Sequence, residues 1–257
     1  MNKEDLRRAA QWLSDAKRVV VLTGAGVSKE SGIPTFRDAM TGLWANYNPE
    51  ELATPEGFAM DPPLVWKWYD WRRKLVSDVQ PNPGHFALAQ LEKLIPEFLL
   101  VTQNVDGLHT RAGSTRILEL HGNILRHKCF ERGHQQNDVP YGLEEPPLCH
   151  CGSYVRPDVV WFGEALPHKE LNEAMRAAEV AQVIIVIGTS GLVQPAASIP
   201  FVGKRCGAKV IEVNPNATEI TVIADVFLAG PSGEVLPELL SHLGAIADRK
   251  ARKQTTS

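Results

Sequence analysis

The sequence predicts an α/β fold, in which helices pack on both faces of a doubly wound parallel sheet. Short runs of β-branched and aliphatic residues alternate with helix-like segments along most of the chain, a pattern typical of parallel sheets. Most of these runs end in small or polar residues, as expected where such a sheet binds a ligand. The 257 residues suffice for one main domain with a smaller insertion.

The first two elements set this pattern. Residues 4–15 carry apolar side chains at helical spacing, and the strand-like run Arg18–Thr23 follows directly. Further strands are predicted at Phe98–Thr102, Ile117–Leu120, Val183–Ile187, Val210–Val213 and Val226–Leu228, and further helices at Pro83–Leu94 and Leu166–Ala181. The alternation predicts a Rossmann-like core.

Two segments interrupt the alternation. The first, 38–80, is rich in aromatic residues and proline and is predicted to form a helical cover. The second, 127–157, is rich in cysteine, proline and glycine and is predicted to form a small zinc-ribbon-like lobe. We expect a single domain over 1–257, with its core at 1–37, 81–126 and 158–245 and a flexible basic tail at 246–257.

Composition excludes several classes of protein. The 27 lysine and arginine residues against 30 aspartate and glutamate residues give a net charge of −3, so no specific nucleic-acid partner is expected. The N-terminus lacks the pattern of a secretory signal, and no apolar run approaches the ~20 residues that span a bilayer. Four cysteines are too few for a disulfide framework. We therefore expect a cytoplasmic enzyme, monomeric and without membrane contact.

A glycine-rich loop follows the first strand. Gly24-Ala25-Gly26, with Ser28 and Gly32 beyond it, would let backbone N–H groups approach a pyrophosphate, so a dinucleotide ligand is predicted. Lys29 stands where the dehydrogenase fingerprint has its third glycine, which disfavours hydride transfer.

Later segments of the chain narrow the interpretation of this loop. Gly32-Ile-Pro-Thr35-Phe36-Arg37, Thr102-Gln-Asn-Val-Asp106, His121-Gly122, Gly188-Thr189-Ser190 and Asn214 follow in order. From about residue 10 to 242, the chain resembles the sirtuins, NAD-dependent protein lysine deacylases. The resemblance implies that NAD is consumed, that acylated lysine side chains of proteins are the partners, and that nicotinamide and O-acyl-ADP-ribose are produced.

The resemblance also assigns roles in the cleft. It implies that His121 is the general base, which suits an imidazole with a reference pKa of ~6.5, and that Asn104 and Asp106 act beside it. From the residues alone, His121 could merely close a strand, and Asn104 and Asp106 could form turns. The implied NAD-binding residues are Gly24, Ala25, Gly26, Ser28, Gly32, Thr35, Phe36, Arg37, Gln103, Asn104, Asp106, Gly188, Thr189, Ser190, Asn214, Pro215 and Asn216.

A pair on the predicted helix Asp61–Val76 bears on the acyl group. Tyr69 and Arg72 are spaced to share one helical face, where a phenol and a guanidinium could converge on a carboxylate. Taken alone, the aromatic residues around them could simply pack. The pair resembles that of the desuccinylase branch of sirtuins, which removes succinyl, malonyl or glutaryl groups, and Ala53 matches its pocket-widening small residue. Acetyl removal is expected to coexist.

The acylated peptide is expected to add as a strand between two segments that resemble the family's substrate clamp. These segments are Val160-Trp161-Phe162-Gly163-Glu164 and Gly191-Leu192-Val193. By composition, either could instead be an ordinary core strand.

The cysteines depart from the family pattern. Sirtuins usually carry Cys-x-x-Cys twice, a set that binds structural zinc. Here Arg132 replaces the second cysteine, so Cys129, Cys149 and Cys151 remain, with His134, His127 or His150 as possible fourth ligands. A lobe without metal is the alternative, and Cys206 is expected to be a buried apolar residue.

Two other functions use the same cleft. Protein ADP-ribosyltransfer needs the same bond cleavage, and a non-catalytic NAD sensor would need only the binding residues. The presence of His121 argues against the sensor.

Overall fold

The computed structural model describes residues 2–34 and 47–255. Thr35, Phe36 and Arg37, predicted to contact NAD, lie outside these ranges.

Helices and strands alternate through most of the chain. The helices are α1 (Lys3–Asp15), α2 (Gly26–Lys29), α3 (Pro49–Leu52), α4 (Pro55–Met60), α5 (Pro62–Asp78), α6 (Pro83–Leu94), α7 (Leu108–Arg111), α8 (His168–Val180), α9 (Ile199–Arg205) and α10 (Ser232–Thr255). The strands are β1 (Arg18–Thr23), β2 (Glu97–Thr102), β3 (Ile117–Glu119), β4 (Gly122–Cys129), β5 (Gln135–Gln136), β6 (Val155–Val159), β7 (Val183–Ile187), β8 (Lys209–Asn214) and β9 (Val226–Ala229).

The main sheet confirms the predicted fold class. Within the described residues it has six strands in the order β3-β2-β1-β7-β8-β9, and every neighbouring pair is parallel. The order reverses direction between β1 and β7, the arrangement of a doubly wound sheet. A ligand is expected at the carboxyl ends of the strands beside this reversal.

Side chains of β1 divide between two cores because successive residues of a strand face opposite sides. Val19 and Val21 pack with helices α1, α6 and α10. Val20 and Leu22 pack with α8 and α9 on the other face. All four are at most 3% exposed, so both faces of the sheet are covered.

The two inserted segments lie beside each other. Helices α3 to α5 form the predicted cover, and α5 begins with an Asp61 cap and two prolines, as its sequence indicates. The lobe is a three-stranded sheet in the order β5-β4-β6, with antiparallel pairs. Its strand β4 begins at Gly122, before the predicted lobe boundary at residue 127.

Helix α10 extends through most of the segment 246–257, which was expected to be a flexible basic tail, as far as Thr255, because Ala, Arg, Lys and Gln are good helix formers and neither glycine nor proline interrupts them. One other expectation is wrong. Cys206 is exposed at the end of α9 rather than buried. Among the described residues, no helix is long and apolar enough to cross a membrane.

Candidate functional site

The loops at the carboxyl ends of β1, β2, β7 and β8 are hydrogen-bonded to one another. The side-chain amide of Gln103 donates to Thr189 Oγ1 at 3.1 Å, and that of Asn214 donates to the Thr189 carbonyl at 2.9 Å. The backbone N–H of Gly26 donates to the Gly188 carbonyl at 2.8 Å. Four of the sequence-predicted segments therefore converge on one rim of the sheet.

Glycine is required where the first and third of these loops touch. A Cβ added at Gly26 would lie 2.7 Å from the Cα of Gly188, and one at Gly24 would lie 2.8 Å from the Gly188 carbonyl oxygen. Gly188 itself has a φ of +59°, which favours glycine. These glycines let the backbones of β1 and β7 meet at the reversal point of the sheet.

A buried polar cluster lies behind the glycine-rich loop. The Ser28 hydroxyl donates to Asp106 Oδ2 at 2.7 Å and accepts from the Asn104 amide at 3.2 Å. Asp106 Oδ1 accepts from the Leu108 backbone N–H at 2.9 Å. Burial raises the pKa of Asp106, although the Ser28 hydrogen bond opposes that shift. Three residues predicted from separate motifs thus form one cluster.

Two histidines that the sequence reasoning missed extend this cluster inward. His85 Nε2 lies 3.4 Å from the Ser28 hydroxyl, and His109 Nε2 lies 3.0 Å from the Thr23 hydroxyl. Burial lowers the pKa of His85 to about 4 and that of His109 well below its usual value. Both are therefore neutral at pH 7. Neither histidine directly follows a strand, so its position in the sequence did not indicate that it would lie near the cleft.

His121 lies just beyond the end of β3 and is half-buried. Its Nδ1 is 2.9 Å from the Gln103 carbonyl oxygen. Since a carbonyl only accepts, this contact places the proton on Nδ1 and leaves Nε2 able to accept one. Burial lowers the pKa of His121, partly offset by the Gln103 contact. The ring is thus neutral and oriented, as a general base must be.

An aromatic cluster joins the cover to the segment after β6. The indole N–H of Trp161 donates to the Tyr69 hydroxyl at 2.9 Å, and the Phe58 ring lies 5.3 Å from the Trp161 ring. Ala53 is 3% exposed in the same cluster and accepts a 2.9 Å hydrogen bond from the Phe162 backbone N–H. Tyr69 and Ala53, predicted separately, line one region.

The adjacent arginines of α5 diverge. Arg72 is half-buried beside Tyr69, with its guanidinium 5.2 Å from the Trp68 ring centre. Burial lowers the pKa of Arg72, and the neighbouring Tyr69 opposes that shift. Arg73 turns to the lobe, where it donates to His127 Nε2 at 2.6 Å, and it also pairs with Asp70 of its own helix at 2.8 Å. Tyr69 and Arg72 therefore lie close together, and their convergence on a carboxylate remains a prediction.

The two segments predicted to clamp a peptide are irregular. Val160–Glu164 continues from β6, and its Val160 N–H donates to the His121 carbonyl at 2.9 Å, so it adjoins the cleft. Gly191–Val193 follows the loop after β7. Phe162, Leu192 and Val193 are 44%, 52% and 40% exposed, so the alternative of two core strands is wrong.

The remaining predicted NAD residues follow β1, β7 and β8 in the chain. Gly32 has a φ of +89° at the end of the first loop. Ala25 caps α2, and Ser190 is half-buried. Pro215 and Asn216 are exposed just beyond β8.

The cysteines of the lobe gather with His134, and His150 Nδ1 also lies 3.5 Å from Cys149 Sγ. Sγ atoms of Cys129, Cys149 and Cys151 and a ring nitrogen of His134 all lie within 4.8 Å of one another. Zinc binds thiolates at about 2.3 Å and imidazole nitrogens at about 2.0–2.1 Å in a tetrahedron, so this donor set fits a structural zinc ion. His127 lies outside this cluster, and its Nε2 accepts from Arg73.

Comparison with known proteins places this site in a class. The Sir2 family model matches residues 24–195. NAD-dependent protein deacylase 2 of Pyrobaculum aerophilum is 52% identical over 236 residues, covering 91% of this chain and 94% of that protein. A crystal structure of a Sir2 homologue in complex with NAD superimposes with a TM-score of 0.88 at 49% identity, covering 93% of this chain and 94% of that one.

A second structure is of Sir2 bound to an acetylated peptide, with a TM-score of 0.81 at 31% identity, covering 93% of this chain and 98% of that one. The fold and cleft define a sirtuin-type enzyme that uses NAD as co-substrate. The chain belongs to the Sir2 family, whose members are NAD-dependent protein deacylases.

Proposed function

We propose that the chain removes acidic acyl groups, succinyl and malonyl above all, from lysine side chains of proteins, and that it also removes acetyl groups. Acyl-lysine, NAD and water would give lysine, nicotinamide and O-acyl-ADP-ribose. NAD supplies the ribose carbon that accepts the acyl oxygen once nicotinamide has left. The proposal rests on the pairing of Arg72 with Tyr69 at the edge of a buried aromatic cluster.

Each residue has a role in this proposal. His121 accepts a proton from a ribose hydroxyl through Nε2, because its Nδ1 faces the Gln103 carbonyl. Asn104 and Asp106, held through Ser28, form the nicotinamide pocket. The loops around Gly24 and Gly188 hold the phosphates and adenosine with Asn214.

The acid preference follows from charge and burial. Tyr69 is 6% exposed, and Arg72 is close enough to lower the pKa of Tyr69 against the larger, raising effect of burial. A guanidinium offers a planar, two-point contact to a carboxylate. A succinyl group ends in such a carboxylate, whereas an acetyl group ends in a methyl group that gains nothing from Arg72.

Matched peptides test the proposal. Three peptides are compared, in which the same lysine carries a succinyl, a succinamyl or an acetyl group. The succinyl and succinamyl groups have equal length and differ only in charge, because an amide replaces the carboxylate. With NAD, mass spectrometry should show the highest kcat/KM on the succinyl peptide. Arg72→Met should lower the succinyl-to-succinamyl ratio of kcat/KM by roughly 100-fold, because truncating one partner of a buried charge pair costs about 2–5 kcal/mol.

Lys74→Met provides the control on the same helix. Lys74 is exposed, so its removal changes net charge equally without touching the pocket, and the ratio should stay as in the unaltered protein. If the succinyl-to-succinamyl ratio of kcat/KM were equal in Arg72→Met and Lys74→Met, the assignment of acidic acyl groups would be wrong.

The cellular setting belongs to the proposal as well. All four cysteines are unpaired, which suits the reducing cytoplasm, and we propose a cytoplasmic monomer.

A further inference from the structure

Trp161 is held more firmly than its place in an irregular segment would suggest. It is 2% exposed, and the Arg156 guanidinium lies 3.2 Å from its ring centre. Its backbone N–H donates to Glu164 Oε2 at 2.8 Å. Arg156 bonds the same carboxylate at 2.5 and 3.0 Å. The ring orientation is therefore set by stacking and by a partly buried ion pair.

The indole N–H of Trp161 points at the Tyr69 hydroxyl, 2.9 Å away. Indole can only donate, so the tyrosine oxygen must accept and its own proton remains available. Within residues 2–34 and 47–255, this is the one hydrogen bond recorded for the Tyr69 side chain. Burial raises the pKa of Tyr69 above its usual value, so the hydroxyl keeps its proton.

A hydroxyl in this state is a directed donor. An incoming N–H bond polarises the oxygen and restricts the rotation of the O–H group, so the proton is presented away from Trp161. Arg72, the neighbour that influences the pKa of Tyr69 most among charged side chains, lies on the same helix face. A carboxylate between them would accept from both.

We propose that Trp161 is a positioning residue for acyl selectivity: its indole N–H orients the Tyr69 hydroxyl so that the hydroxyl donates to the carboxylate of an acidic acyl group. This inference rests on the proposed function and adds a residue that acts through Tyr69 rather than on the carboxylate itself. Tyr69 and Trp161 then act as one unit, although 92 positions separate them.

The test removes the N–H and keeps an aromatic ring. Trp161→Phe should lower the ratio of succinyl to acetyl kcat/KM by about 10-fold, mainly through a higher succinyl KM, since one hydrogen bond to a charged group is lost or misdirected. Tyr69→Phe should lower the ratio by a similar factor. The double variant should fall no further than either single one, because both changes remove one shared interaction.

A packing control separates this role from general support. Phe130 lies 6.2 Å from the Trp161 ring and carries no donor, so Phe130→Leu loosens the same cluster without removing the N–H. For Phe130→Leu, the ratio of succinyl to acetyl kcat/KM should change less than twofold even if the melting temperature of this variant falls. An equal change in Phe130→Leu and Trp161→Phe, or a double variant whose loss is the product of the single losses, would overturn the inference.

Failure of the proposed function and failure of the role of Trp161 give different results. If the unaltered protein shows no preference for succinyl over succinamyl peptide, the proposed function and this inference fall together. If that preference is present and depends on Arg72, but Trp161→Phe keeps the succinyl-to-acetyl ratio, only the role of Trp161 falls.

Discussion

The NAD cleft and the cysteine lobe are both polar sites, but they differ in how much apolar core lies beneath them. The cleft lies on a six-stranded sheet covered by large apolar cores on both faces, and its polar groups are bonded to one another. The lobe has a three-stranded sheet and a small cluster around Cys129, Cys149 and Val155. The fold itself organises the cleft, whereas the lobe has little apolar core and instead gathers a donor set that fits a metal ion.

This contrast separates activity from stability. A substitution in the cleft should reduce catalysis and leave the fold intact. A substitution in the lobe should first weaken the local structure.

The largest effect is expected at His121. His121→Ala should lower deacylation about 1000-fold, since a positioned general base contributes ~10²–10⁴ in rate. The melting temperature should change little, because, among the residues that the structure describes, the His121 side chain makes a single hydrogen bond, with the Gln103 carbonyl. Turnover and thermal unfolding of the purified variant measure both. If His121→Ala instead lowered the melting temperature while its folded fraction kept full activity, the contrast between the cleft and the lobe would be wrong.

Loss of the metal ligands should act locally. Cys149→Ser, or removal of metal by a chelator, should lower amide-exchange protection in β4 and β6 by about 100-fold, because structural zinc contributes folding free energy directly. Protection in β1 and β7 should persist. Cys206→Ser, at an exposed cysteine away from the cluster, is the matched control, and elemental analysis should give one zinc per chain only when all four ligands are present.

The smallest effect concerns acid stability beneath the cleft. The folded pKa of His85 is about 4, below the value of ~6.5 for an exposed histidine. The unfolded chain therefore binds the proton more tightly, and stability is lost as the pH falls from 6.5 towards 4. Between pH 6.5 and 5 the loss from His85 alone should be roughly 2 kcal/mol, measured by urea unfolding.

His85→Gln removes the titrating group and is the comparison for this effect. Its free energy of unfolding should depend less steeply on pH in the same window. An unchanged slope would show that His85 does not titrate as its burial indicates.

Much of the cleft could be predicted from the sequence because its signals are local. Strands such as Arg18–Thr23 are continuous apolar runs, and the residues that follow them must lie at one rim of a parallel sheet. His85 and His109 escaped prediction because each lies on a helix, and only packing brings them against Ser28 and Thr23.

The sequence by itself determined the α/β class, the strand ends that form the cleft, and the loss of one cysteine at Arg132, because periodicity, glycine and cysteine spacing are properties of short segments. The tertiary structure decided that His134 completes the cysteine cluster and that Trp161 contacts Tyr69. Such contacts join residues far apart in the chain. Their geometry depends on how separate elements pack, which no local pattern encodes.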